Sequence, residues 1–202
     1  MGFSKFLHVK ISAIAGVVPE KVINIDDEIE FYNNNPKLLE RNKKILGLGT
    51  RHVLPEGFTS DDLCEDVAKK ILTETNTNKD DIDYLIVVTS TPDYFFPSSS
   101  HVLHGKLQLN EKCSCFDMNG GCAATGHALM VAHSLIESNT AKKILIVVGD
   151  LASKQSNIRN RNDIMLFGDC ATAIILEYSE AKNESYFYTG SNGELWDKIV
   201  MP

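Results

Sequence analysis

The chain has 202 residues, 43% of them hydrophobic and 23% charged, with a formal net charge of −7. This is enough apolar material for one packed core, and the negative balance argues against a general nucleic-acid surface. No apolar run approaches the ~20 residues of a membrane-spanning helix, and the opening MGFSKFLHVK lacks the apolar stretch and cleavage site of a secretory signal, so a cytoplasmic protein without membrane association is expected.

From the start, HVKISAIAGVV reads as an alternating strand and INIDDEIEFY as a short helix with Asp26, Asp27 and Glu28 in its first turn, where the helix dipole favours acids. TSDDLCEDVAKKILTET predicts a clearer helix, capped by Thr59 or Ser60, with Leu63, Val67, Ile71 and Leu72 on one apolar stripe. DYLIVVTS is a short, β-branched apolar run, the pattern of a strand covered on both faces. SSSHVLHGKLQL opens a helix after Pro97, CSCFDMN returns as a strand, and CAATGHALMVAHSLIES predicts a nearly uncharged central helix. AKKILIVVGD and CATAIILEY supply two further strands, and a turn-rich tail runs from Ala181 onward. Strands alternating with helices imply βαβ connections and a layered α/β fold.

Five cysteines, Cys64, Cys113, Cys115, Cys122 and Cys170, are odd in number and too sparse for a disulfide framework, so reduced thiols are expected. Cys122 stands apart because Gly120 and Gly121 precede it. Two glycines allow a sharp passage from strand to helix, which would place this thiol against the free N–H groups and positive end of the helix it begins. A thiolate is favoured in such a place, and the same donors can receive an oxyanion. The competing reading is a small apolar filler, since cysteine is often buried for packing alone. His127 follows Cys122 by five positions, about 140° around an ideal helix, so it faces elsewhere. Cys113 and Cys115 share one strand face with Cys122 nearby, yet two ligands at strand spacing fall short of tetrahedral zinc, and no metal is expected.

From residue 8 to about 178 the chain resembles the N-terminal half of a β-ketoacyl-acyl carrier protein synthase III, a condensing enzyme of the thiolase superfamily. The landmarks are ISAIAGVVP, GLGTRHV at 47–53, IDYLIVVTSTPDYFFPS at 82–98, FDMNGGCA at 116–123, ILIVVGD at 144–150 and FGDCATAIILE at 167–177, in that order. The resemblance implies a thiolase-like half-fold: a mixed, mostly parallel five-stranded sheet with a buried helix beginning at the nucleophile, residues 1–180 as the N-terminal domain and 181–202 leading toward a second half. It implies that Cys122 is acylated by a thioester, and that the acyl group passes to the carbanion from decarboxylation of a malonyl thioester. The histidine and asparagine that handle the malonyl group belong to the second half in that family, so the chain is expected to be a fragment or a split protein. A non-catalytic dimerisation or carrier-docking scaffold is the alternative, and thioester hydrolysis through the same cysteine a third.

The resemblance also assigns Phe96 to a position reaching a partner's acyl pocket, Arg161 to an arginine beside the coenzyme A adenine, and Phe167 to the substrate-binding set. Acyl-coenzyme A or acyl carrier protein thioesters are the implied substrates, with no cofactor, and a homodimer forms through CSCFDMN. Departures are Ala123, Ala124 and Thr125 after the cysteine, Cys170 and Thr172 in place of glycines, and no tryptophan near Arg41 to complete an adenine site. An acidic carrier would need a local basic surface, for which Lys43, Lys44, Arg51, Arg159 and Arg161 are candidates.

Overall fold

A computed structural model describes residues 2–155, 166–198 and 200. Its strands are β1 (Gly2–Phe6), β2 (Val9–Val17), β3 (Val22–Asn24), β4 (Thr50–His52), β5 (Tyr84–Val88), β6 (Ser114–Met118), β7 (Lys143–Leu151), β8 (Asp169–Tyr178) and β9 (Ser185–Thr189). Helices of eight residues or more in α geometry are α1 (Pro36–Leu46), α2 (Ser60–Glu74), α3 (Ser99–Leu107) and α4 (Ala124–Glu137), while Ile25–Tyr32 winds as a 3-10 helix kinked at Glu28.

The central sheet has the order β2-β8-β7-β5-β6. It is mixed, with its pairings evenly divided: β5 runs parallel to β6 and β7, whereas β8 runs antiparallel to β7 and β2. Crossovers through α3 and α4 generate the parallel half, as the alternation of elements requires. Side chains alternate across this sheet and divide the core in two. Leu85, Val87, Leu145, Val147, Ala173 and Ile175 face α2, where Leu63, Cys64, Val67 and Ile71 meet them. Ile86, Val88, Ile144, Ile146, Ile174 and Leu176 face α4, which answers with Ala124, Ala128, Ala132 and Ile136. Three alanines four residues apart form the row that this helix turns toward the sheet.

The tail contributes structure that its turn-rich sequence does not announce. β9 pairs antiparallel with β1, from Gly2↔Thr189 to Phe6↔Ser185. One face of this ribbon docks on α4: Phe6 and Phe187 place their ring centroids 5.6 and 5.0 Å from buried His133. The other face leaves Phe3, Tyr186 and Tyr188 exposed. Helix α1, capped by the Asn35 side chain and closed by Gly47 in the left-handed region, also goes unannounced because only Leu39 of its residues is fully buried.

Close approach explains Gly149 on β7. A Cβ there would overlap Cys64 Sγ and lie 3.2 Å from Ala171 Cβ, where α2 crosses the sheet. Gly149→Ala is expected to cost about 1–3 kcal/mol in urea unfolding, and the cost should shrink in a Cys64→Ala background, which removes the obstructing sulfur. An unchanged cost there would mean that the backbone, not the thiol, sets the limit.

Asp61, 1% exposed, has no hydrogen-bond partner for either carboxylate oxygen among the described residues. Burial raises its pKa above the ordinary aspartate range, against a pull from the nearby Ser99 hydroxyl; the Asp93 carboxylate adds to the rise. A carboxyl whose folded pKa is raised costs nothing below its unfolded pKa; its cost grows between the two values and is complete above the folded one. Asp61→Asn should therefore stabilise the protein at neutral pH, with the gain vanishing as pH falls toward the ordinary aspartate value. A gain independent of pH, or a loss at neutral pH, would show that the carboxyl is not the destabilising group.

Candidate active site

The strand β6 ends at Met118, and Asn119 and Gly120 lead into a 3-10 turn at Gly121–Ala123 that runs directly into α4. Gly121 has φ +56°, the left-handed region where a side chain is strained, so glycine is needed at the turn just before the thiol. Cys122 is exposed there, as the strand-turn-helix reading requires. It is not a core filler. Cys64 is the opposite case: 1% exposed, with its pKa pushed upward by burial and by the charges of Asp61, Asp150 and Asp93. Cys113 is 5% exposed and burial pushes its pKa up to about 11; Cys115 and exposed Cys170 are also shifted up by desolvation.

Helix N-termini distinguish this site from the rest of the molecule. Asn35 Oδ1 accepts from Lys37 and Leu38 at the start of α1. At the start of α2, Asp93 Oδ1 accepts from the backbone of Ser60 at 3.0 Å and Asp61 at 3.3 Å, and Thr59 forms a capping box with Asp62. Asp117 Oδ2 and Oδ1 accept from Ser99 at 2.8 Å and Ser100 at 2.7 Å at the start of α3. By contrast, neither α4 nor the turn before it carries a side-chain cap among the described residues. The Ala124 N–H bonds to the Gly121 carbonyl, and no side-chain charge among the described residues offsets the positive end of α4 beside Cys122.

Asp117 is the residue that sequence reading missed. It belongs to the strand that ends at the Cys122 turn, and it grips the first amides of the helix that follows Phe96 and Pro97, so one carboxylate sets the position of both segments. The available signal was an acid inside an otherwise apolar strand, CSCFDMN, where a half-buried carboxylate must find donors.

The other expected site residues fall as follows. Phe96 is 86% exposed and Phe167 47%, and neither makes a ring contact among the described residues, so Phe96 is a surface ring and not a core one. Arg161 and Arg159 lie outside the described residues. The expected basic surface is reduced: Arg51 forms a bidentate pair with Glu28, both N···O distances being 2.6 Å, with only 11% of its side chain exposed. Lys43 is engaged by Asp26 and Glu40. Carboxylates of the preceding 3-10 helix and of α1 take up those charges, which sequence distance concealed. His101 bonds to Ser98 and His104 to the Asn110 carbonyl, so both have local partners. Among the described residues no group of three His, Cys, Asp or Glu side chains could hold a metal ion.

Comparisons with known proteins agree with this arrangement. Residues 116–193, which contain Cys122, match the family model described as 3-oxoacyl-[acyl-carrier-protein (ACP)] synthase III. A putative 3-oxoacyl-[acyl-carrier-protein] synthase 3 of Campylobacter jejuni is 41% identical over 200 residues, covering 98% of this chain. Over nearly its whole length the chain is thus similar to part of a 3-oxoacyl-[acyl-carrier-protein] synthase III. A β-ketoacyl-[acyl-carrier-protein] synthase III of Xylella fastidiosa is 30% identical over 97% of the chain. The crystal structure of a 3-oxoacyl-(acyl-carrier protein) synthase from Burkholderia xenovorans superposes with a TM-score of 0.92 at 29% identity, covering 96% of this chain and 55% of that one. The chain spans 56% and 60% of the length of the two bacterial relatives. Its half-fold is the thiolase-like one of these synthases.

Differential exposure makes the thiols separable by alkylation. With limiting iodoacetamide at neutral pH, Cys122 should be modified first, Cys170 and Cys115 later, and Cys113 and Cys64 only on unfolding. Peptide mass mapping over time checks the order. Modification of Cys170 before Cys122 would move the reactive centre to β8.

Proposed function

We propose that this chain is the nucleophile-bearing half of a 3-oxoacyl-[acyl-carrier-protein] synthase III-like acyltransferase of fatty acid or related acyl biosynthesis. The observation that supports this reading is the exposed Cys122 beside the one long helix start whose first amides meet no side-chain acceptor among the described residues. The Cys122 sulfur attacks the carbonyl carbon of an acyl thioester. The carbonyl oxygen gains charge as the tetrahedral intermediate forms, and backbone N–H groups of the turn at Cys122, just ahead of α4, offer donors for it. Collapse expels the donor thiol and leaves the acyl group on Cys122. In the complete reaction, a malonyl thioester loses carbon dioxide and its carbanion displaces the Cys122 sulfur, giving the 3-oxoacyl product. The histidine and asparagine that the resemblance assigns to this second step would come from the other half of the fold.

The same reading extends to the finer roles. The expected boundary at residue 180 moves outward, because β9 pairs with β1 and docks on α4: the N-terminal domain takes in Ser185–Thr189, and the residues after it lead out. Phe96 projects toward a second copy's acyl pocket, consistent with its exposed ring, and Phe167 and Arg161 contribute to substrate binding. The acyl donor is coenzyme A or acyl carrier protein, with no further cofactor, in the cytoplasm. Dimerisation through β6 is supported by its position at the open edge of the five-stranded sheet.

Incubation of the chain with an acyl-coenzyme A or an acyl carrier protein thioester should add the acyl mass to the peptide containing Cys122. Cys122→Ser should abolish the adduct, whereas Cys113→Ser and Cys115→Ser should leave it. Absence of any adduct, with or without a supplied second half, would favour the scaffold reading, and equal loss in all three variants would remove Cys122 from its assigned role.

A further inference from the structure

The approach to Cys122 holds a second reactive element, the dipeptide Asn119–Gly120. Residues 119–123 are all exposed, and Asn119 and Gly120 belong to neither β6 nor the turn that follows. Among the described residues no hydrogen bond engages the Asn119 side-chain amide or the Gly120 N–H. Gly120 has no side chain to shield its nitrogen. From these observations we infer that Asn119–Gly120 is a site of spontaneous deamidation next to the nucleophile.

The chemistry needs only water. The Gly120 backbone nitrogen attacks Asn119 Cγ and forms a carbon–nitrogen bond, while the side-chain amide leaves as ammonia, carrying the proton lost from Gly120. The five-membered imide then adds water across one of its two ring carbon–nitrogen bonds. Opening on one side yields aspartate at 119, and opening on the other yields isoaspartate, in which the main chain runs through the former side chain. Both products place a carboxylate three residues before Cys122. Isoaspartate also lengthens the backbone between β6 and the turn.

The chain contains its own comparison. Asn192–Gly193 is the other Asn–Gly pair and is also exposed, but Asn192 Oδ1 accepts a hydrogen bond from the Glu194 amide at 3.0 Å, which holds its side chain against the following turn. Attack on Cγ must break that contact first. Asn119 faces no such restraint among the described residues.

A further consequence rests on Cys122 being the nucleophile. A carboxylate close to a thiol disfavours the thiolate, so the deamidated chain should take up an acyl group or an alkylating agent more slowly than the fresh one.

The test is to age the full chain at mildly alkaline pH and follow peptide masses. The peptide Cys113–Lys142 should gain about one mass unit, localised to Asn119 by fragmentation, severalfold faster than Asn192 does, as expected for a thermolabile asparagine. Asn119→Gln should remove the gain. Gly120→Ala should slow it severalfold, and this variant fits the fold because the added Cβ would lie 3.4 Å from Ala124 Cβ, an ordinary contact. No gain at Asn119, a gain no faster than at Asn192, or a gain unaffected by Gly120→Ala would overturn the inference. Asn119→Asp should slow alkylation of Cys122 severalfold, and an unchanged rate would overturn the stated consequence. Failure here is distinct from failure of the acyltransferase reading: acyl adducts without mass gain at 119 sink only the deamidation site, and mass gain without acyl adducts sinks only the acyl transfer.

Discussion

Carboxylates accepting two backbone N–H groups at once tie the connecting segments of this molecule to one another and to its helices and strands. Asp93 does so for α2, Asp117 for α3, Asp83 for Lys142 and Lys143 at the entry to β7, and Glu137 for Leu7 and His8 between β1 and β2. Asp169 joins Leu54 to Ser153, and Asp150 takes the Thr89 hydroxyl and the Ser90 amide. Hydrogen bonds to a charged acceptor are worth roughly 1.5–3 kcal/mol each, more than bonds between neutral groups, and each of these joins parts of the chain distant in sequence. The uncapped start of α4 gains its meaning against this pattern. Where other helix starts are met by a side-chain oxygen, the one beside Cys122 has only the Gly121 carbonyl, which accepts from the Ala124 N–H, and no side-chain acceptor among the described residues.

Much of this architecture could be read from the residues. DYLIVVTS and AKKILIVVGD announce strands buried on both faces because β-branched runs suit nothing else at that length, and β5 and β7 are those strands. The central helix was legible from its scarcity of charge, and the turn at Cys122 from its two glycines. What escaped reading was held by distant partners. β1 and β9 are amphipathic only as a pair, since their docking face is completed by His133 of α4. Arg51 looked like a free cation because Glu28, which neutralises it, lies in a different element. Asp117 goes unmarked by spacing, although its two oxygens fix the segment carrying Phe96. Spacing along the chain reports periodicity well and long-range pairing hardly at all.

The two faces of the sheet differ in how they meet their helices. On one, α2 brings larger side chains, Leu63, Val67 and Ile71, and makes room for β7 only at Gly149. On the other, α4 presents alanines. Packing at this second face seats the helix that begins two residues after Cys122.

The ribbon of β1 and β9 joins nearly the first residues of the chain to residues almost two hundred positions later. Contacts of such long sequence separation form late, because closing so large a loop is entropically costly before any partner contact rewards it. On the ribosome, Gly2–Phe6 would emerge well before Ser185–Thr189, so Phe6 has no Phe187 beside it until β9 follows. The aromatic lid over His133 can thus close only after all five strands of the central sheet have been made.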